Sequence, residues 1–198
     1  QQQIKESLIT GDNGMVIRPR VSKTKEEQLS RVREKAEVFT PSWVCNAQNN
    51  LVDDIWFGEK EVFNIEGAKE WTSTPHQIVF PTSQGKSWQD YVQDVRLEIT
   101  CGEAPYLVSR YDTITGEPID IKNRIGLLDR KLRVVSENTS TKEDWLQWAK
   151  VAVQSVYGFE WQGDSLLLAR ENVLYTFVDY FNDKFNGNPP KENIREIA

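Results

Sequence analysis

The chain has 198 residues, 38% hydrophobic and 11% aromatic, which suits one substantial core and not two. Its 24 basic and 30 acidic side chains leave a formal charge of −6, so the chain as a whole lacks the basic footprint of a dedicated nucleic-acid-binding module. Two distant cysteines, Cys45 and Cys101, exclude a metal ribbon and argue against a disulfide scaffold; with no apolar run near the roughly 18 residues that cross a bilayer and no signal-peptide layout, a reduced cytoplasmic protein with no membrane role is expected.

In chain order, residues 1–13 read as a loosely tied end. A run of alternating charge from Arg18 to Lys35 follows, which predicts a solvated helix over about 24–36. A competing reading makes Arg18, Arg20, Lys23, Lys25, Arg31 and Arg33 a phosphate-contacting arm, but Glu26, Glu27 and Glu34 interrupt the positive field. At Glu37-Val38-Phe39-Thr40-Pro41-Ser42-Trp43 an apolar step meets a helix start, with Thr40 as N-cap and Pro41 in the first helical position. Val44, Ala47, Leu51 and Ile55 then recur at helical spacing, so this helix runs to about Asp54 with that stripe as its apolar face. Residues 56–88 mix Gly, Pro, Ser and Thr with short apolar pieces and predict an irregular, surface-running insertion.

Val95, Leu97 and Ile99 alternate with Arg96, Glu98 and Thr100, the period of a strand, and Cys101-Gly102 marks the turn at its end. Asp112 to Glu117 reads as a loop and Ile125 to Val135 as a helix that mixes apolar and basic residues. Ser140-Thr141-Lys142-Glu143 has a capping-box layout, and Trp145, Trp148, Ala149, Ala152, Val153 and Val156 follow on one helical face. Tyr157 to Trp161 is a short aromatic strand. Asp164 then caps a helix carrying Leu167, Leu174, Val178, Phe181 and Phe185 and ending near Gly187. Helix, strand, helix in this order predicts an α/β fold with a parallel sheet and crossovers.

Three segments, 37–45, 97–107 and 158–172, resemble in order the cofactor segments of adenine-specific (N6) DNA methyltransferases, and in particular the restriction-endonuclease modification-subunit-like family of bacteria and phages. The resemblance spans roughly residues 15–198. It implies a partial Rossmann-like methyltransferase fold over residues 37–198, with residues 1–36 as an N-terminal arm and charged helix, and S-adenosylmethionine as cofactor. Phe39-Thr40-Pro41 resembles the Phe/Tyr-Thr-Pro element beside the methionine part of that cofactor, where N–H groups at a helix start suit a carboxylate. Glu98-Ile99-Thr100-Cys101-Gly102-Glu103-Ala104-Pro105-Tyr106 resembles the strand-end acidic, Cys-Gly, small, Gly, aromatic pattern that lets the backbone approach the cofactor. Here the pattern departs twice: Ala104 stands for the second glycine, and Glu103 puts a carboxylate where it would repel the cofactor's own carboxylate or pair with its amino group. In the third segment the resemblance gives Glu160 the ribose hydroxyls and Trp161 the adenine ring.

The family's catalysis needs an Asp/Asn-Pro-Pro-aromatic loop. Asn188-Pro189-Pro190-Lys191 has Lys191 in the aromatic position and follows a helix, so it reads as a linker, the catalytic residues stay unassigned, and no metal site is expected. The expectation is a cofactor-binding portion without its catalytic loop, reaching DNA through other segments or the N-terminal arm and pairing with a restriction or specificity subunit. The alternatives are a non-catalytic interaction module and, more weakly, a nuclease built on Asp120-Ile121-Lys122. His76 is the only histidine, which leaves little room for a Ser/His/Asp or Cys/His arrangement.

Overall fold

A computed structural model describes residues 5–35 and 37–198; residues 1–4 and Ala36, where the expected arm ends, lie outside the described residues. Seven α-helices are described: α1 Lys25–Lys35, α2 Ser42–Phe57, α3 Trp88–Gln93, α4 Leu127–Asn138, α5 Lys142–Gln154, α6 Gly163–Phe185 and α7 Lys191–Ile197. Strands β1 Asn64–Glu66 and β2 Trp71–Ser73 form an antiparallel hairpin. Strands β3 Arg96–Ile99 and β4 Val156–Phe159 run parallel, with Arg96 opposite Val156 and Ile99 opposite Phe159, and the chain crosses between them through α4 and α5. The parallel sheet thus has two strands among the described residues, and helices carry most of the chain. No described helix is long and apolar enough to cross a membrane.

The helix ends depart from their predicted caps by about a residue. Pro41, not Thr40, is the N-cap of α2, and the Ser42 N–H is held by the Asp112 carboxylate at 2.9 Å. Asp112 belongs to a loop 70 residues away, a distance no local pattern could reveal. Thr141 caps α5 by accepting from the Asp144 N–H, one position beyond the Ser140–Glu143 box. The α6 helix starts at Gly163, with Asp164 in its first turn, and ends on Asn186 in the left-handed region, one residue before Gly187.

Trp145 of α5 is fully buried and meets the rings of Phe177, Phe181 and Phe185 on α6 at 5.4–6.1 Å between centroids. Together with Leu128, Leu132, Val134 and Val135 of α4, this is the centre of the core. The segment 56–88 is not a surface insertion. Trp56, Phe57, Phe63 and Phe80 close around Tyr91, the ring of Phe57 lying 5.3 Å from it, and Ile78 is buried beside them. Its apolar pieces are only one to three residues long, so no period betrayed them, yet rings of this size dominate burial wherever they land.

Two elements are turned inside out relative to their apolar pattern. The C-terminal half of the α2 stripe, Leu51 and Ile55, points to solvent, with Ile55 84% exposed and Val44 and Ala47 half-buried, while Asn46, Asn49 and Asp53 face inward, Asp53 at 2%. Likewise Ile99 of β3 is 69% exposed and Glu98 is 8%. In β3 the inward Glu98 accepts from the Leu107 N–H at 3.2 Å. For α2 the cause lies in α4, whose consecutive Asp129, Arg130 and Lys131 are each no more than 1% exposed. Buried charges must be paired. Arg130 binds Asp53 at 2.6 Å, Asn46 at 2.9 Å and Asn50 at 2.6 Å, and the Tyr91 hydroxyl donates to the same Asp53 carboxylate at 3.0 Å. Asp129 accepts from the Ser109 N–H at 2.7 Å and hydroxyl at 3.0 Å. Lys131 donates to the Val92 carbonyl at 3.0 Å, to the Asp94 carbonyl and to the Ser155 hydroxyl at 2.5 Å.

Removing the Arg130 side chain leaves Asp53 as an uncompensated buried charge. Arg130→Ala is therefore expected to lose about 3–5 kcal/mol in chemical denaturation. Ile99→Thr, at a position where the alternating pattern alone would place core, is expected to stay within about 0.5 kcal/mol of the parent in the same assay.

Candidate functional site

The strands β3 and β4 end side by side, and the residues that follow them are drawn together. The Cys101 N–H donates to the Phe159 carbonyl at 2.9 Å, extending the ladder by one step. The chain then turns through Thr100, Gly102 and Ala104, all in the left-handed region at φ of 56°, 56° and 64°. For Thr100 and Ala104 this is a strained backbone costing of order 1–3 kcal/mol each, a kind of strain that clusters at functional sites. Ala104 occupies the position where the family pattern has glycine, and its positive φ is what a glycine would relieve.

Glu160, next after β4, locks this turn. One carboxylate oxygen accepts from the Gly102 N–H at 2.7 Å and the other from the Trp161 and Gln162 N–H groups at 2.8 and 2.9 Å, just ahead of α6. The Phe39 ring packs against Gly102, Thr40 offers its carbonyl to the Thr113 hydroxyl at 3.0 Å, and the Arg20 guanidinium sits over Phe39 at 5.2 Å.

These residues wall a cleft of about 380 Å³ at the carboxyl ends of the two strands. Of the residues read from sequence, Phe39, Thr40, Glu98, Thr100, Cys101, Gly102, Tyr106, Glu160 and Trp161 line it. Pro41 caps α2 behind it. Glu103 is buried and does not line the cleft; it accepts from the Arg20 N–H at 2.7 Å and the Tyr111 hydroxyl at 2.5 Å and so anchors the N-terminal arm. Larger grooves of about 470, 520 and 650 Å³ exist elsewhere, but of these segments they take in only Asp164.

Comparison with protein-family models, with curated proteins and with solved structures finds no match. The chemistry of the cleft therefore rests on its own geometry.

Two charged lining residues were not among the site residues read from sequence. Glu37 pairs with Arg31, and Lys35, at the end of α1, reaches Gln162 Oε1 at 3.1 Å. Both depend on α1 folding back over the mouth of the cleft, held also by the Arg31–Asp164 ion pair at 2.7 Å. That placement also engages the supposed phosphate arm: Arg18 is bound by both oxygens of Glu27 at 2.9 Å, and Arg31 is shared between Glu37 and Asp164. Asn188-Pro189-Pro190-Lys191 joins α6 to α7, with Pro190 as N-cap, and does not line the cleft. Asp120 precedes a short 3-10 turn over Ile121–Asn123, and His76 is exposed and offers its carbonyl to Arg133. Among the described residues no group of three or more His, Cys, Asp or Glu side chains is placed to hold a metal ion.

Burial pushes the Glu98 carboxyl up to about 8, although the Leu107 N–H donates to it at 3.2 Å. Burial likewise pushes the Cys45 and Cys101 thiols up to about 12, which makes neither a ready nucleophile. Over the interval from the ordinary carboxylate range to about 8 the folded chain holds a proton on Glu98 that the unfolded chain has lost. That stability is complete below the ordinary value and disappears as the pH rises through about 8. Lys131, pushed down to about 7 by burial, contributes with the opposite slope at higher pH, and Asp129, pushed up to about 6, with the same slope at lower pH. The comparison of parent with Glu98→Gln cancels both. The parent is expected to lose stability relative to the variant between about pH 5 and about pH 9, read from urea midpoints.

Proposed function

We propose that this cleft binds S-adenosylmethionine and that the chain is the cofactor-binding portion of a DNA adenine methyltransferase-like protein of a restriction-modification system, on a partial Rossmann-like fold. One observation carries the reading: three segments centred some 60 residues apart, each resembling a cofactor segment of that family, line one cleft at the carboxyl ends of two parallel strands. Ligands in open α/β sheets sit at that end. The volume of about 380 Å³ falls in the range of small-molecule sites.

The residues present suit the cofactor. Glu160 uses three backbone N–H groups, and a carboxylate offers about four acceptor positions, which leaves one for a ribose hydroxyl. Trp161, 94% exposed at the rim, presents an indole face to cover an aromatic base. Gly102 keeps the turn free of side-chain bulk beside Phe39. When bound, the cofactor supplies an electrophilic methyl group. The groups that would hold a target base are not assigned to this chain, and DNA and a restriction or specificity subunit are proposed partners on the strength of the resemblance alone.

A second reading, a non-catalytic interaction module, draws on a different feature. Leu97, Ile99, Tyr157 and Phe159 stand on one exposed face of β3 and β4, whereas parallel strands ordinarily have both faces covered.

Calorimetric titration separates the two. S-Adenosylmethionine is expected to bind with a Kd between about 1 μM and 1 mM, or about −8 to −4 kcal/mol. Glu160→Ala is expected to weaken this by about 1–3 kcal/mol and to lower the melting temperature as well, since the Gly102 N–H loses its partner. No heat and no thermal shift at millimolar cofactor would remove the cofactor reading and leave the interaction module.

A further inference from the structure

Carboxylates outnumber cations around the cleft. Glu37, Glu98 and Glu160 line it, opposed by Lys35 alone, and Arg31 behind Glu37 is shared with Asp164. Glu160 spends three of about four acceptor positions in tying the turn. Glu37 spends fewer. Its side chain is only 7% exposed, one oxygen takes Arg31, and the other, Oε1, is buried with no hydrogen-bond partner. A shielded carboxylate oxygen without a partner is costly, and a positive charge brought by a ligand relieves it. Arg31 Nη2 is also unpartnered, but Arg31 lines the groove on the other side of α1 with Arg18 and Lys23 and does not line the cleft.

We infer that the cleft selects a cationic ligand centre, so that the sulfonium cofactor is held in preference to its neutral thioether product, with Glu37 as the selecting residue. This rests on the cofactor reading above and adds what that reading does not contain, a discrimination between substrate and product forms of one molecule. The charge arithmetic supports the direction. Among the side chains that line the cleft, Lys35 supplies one positive charge, while Glu37 and Glu160 supply two negative ones before Glu98 is counted. Lys35 sits at the solvent-exposed end of α1, where water screens it more than it screens Glu37. The groups facing Glu98 are Cys45 from α2, Cys101 and Tyr106 from the turn, and Glu160 after β4, none of them a cation. Glu98 is held neutral up to about 8, so the preference strengthens when it ionises above that.

The test uses three probes in calorimetric titration against the whole chain: S-adenosylmethionine, S-adenosylhomocysteine, and an analogue with an ammonium group in place of the sulfonium. The two cationic probes are expected to bind about tenfold more tightly than the thioether at neutral pH, with a wider gap near pH 9. Glu37→Gln is expected to bring the ratio close to one while thioether affinity holds. Lys35→Ala, at an exposed helix position whose side chain reaches only Gln162, is expected to widen it, and serves as the deciding variant if circular dichroism shows Glu37→Gln unfolded and Lys35→Ala folded. Equal affinity for all three probes in the parent, or a ratio unmoved by a folded Glu37→Gln, overturns the selection and leaves the cofactor reading standing. Binding of none of the probes overturns both.

Discussion

Three neighbouring charges inside α4 govern how the rest of the chain is arranged. Asp129, Arg130 and Lys131 are side by side in sequence and point in three directions, so one buried helix demands three different sets of polar partners. Leaving any one unpaired in the interior costs several kcal/mol, far more than exposing an apolar stripe on a surface that is already largely apolar. The fold accepts the smaller penalty. The polar face of α2 turns inward to meet Arg130, and Asn46, Asn49 and Asp53 become interior residues while Leu51 and Ile55 face water.

Lys131 extends this logic to the sheet. It joins the carbonyls of Val92 and Asp94, which lead into β3, to the Ser155 hydroxyl, which leads into β4, and so sets the level at which the two parallel strands begin. At the other end Glu160 joins the turn after β4 to the Gly102 N–H of the turn after β3. A two-stranded parallel sheet has little cohesion of its own, because its ladder is short and one face is bare. Polar clamps at both ends replace what further strands would supply. The strained Thr100 and Ala104 backbones persist because the clamp and the ladder over-determine the turn.

The cleft is a by-product of the same construction. Its floor is the clamped turn, one wall is the Phe39-Thr40 approach to α2, and its mouth is narrowed by α1, which Arg31 and Lys35 hold to the start of α6. Glu103 shows how indirect such support is. It lies within the turn yet does not line the cleft and anchors Arg20, so the residue that looked most damaging to ligand binding in the linear pattern instead fixes the arm that closes over the site.

How much of this was legible follows from the range of each interaction. Periodicity and local capping chemistry act within about four residues, and they located α1, α2, α5, α6 and both parallel strands to within a few residues. The resemblance to adenine-specific DNA methyltransferases, and not periodicity, marked Phe39, Cys101, Gly102 and Glu160 as a set worth bringing together. What they could not reach were contacts made across the chain: the Asp112 cap on α2, 70 residues distant, the burial of Phe57 and Phe63 from apolar pieces too short to show a period, and the placement of Lys35 and Glu37 at the cleft. The inverted faces of α2 and β3 are the sharpest case. A hydrophobic pattern states which side chains could be buried cheaply, and by itself it determined that these segments are helix and strand. Which face is buried was decided only by the tertiary structure, because the charged run inside α4 must find its partners on α2 and the turn after β3 offers its N–H groups to Glu98, and such requirements outweigh an apolar stripe.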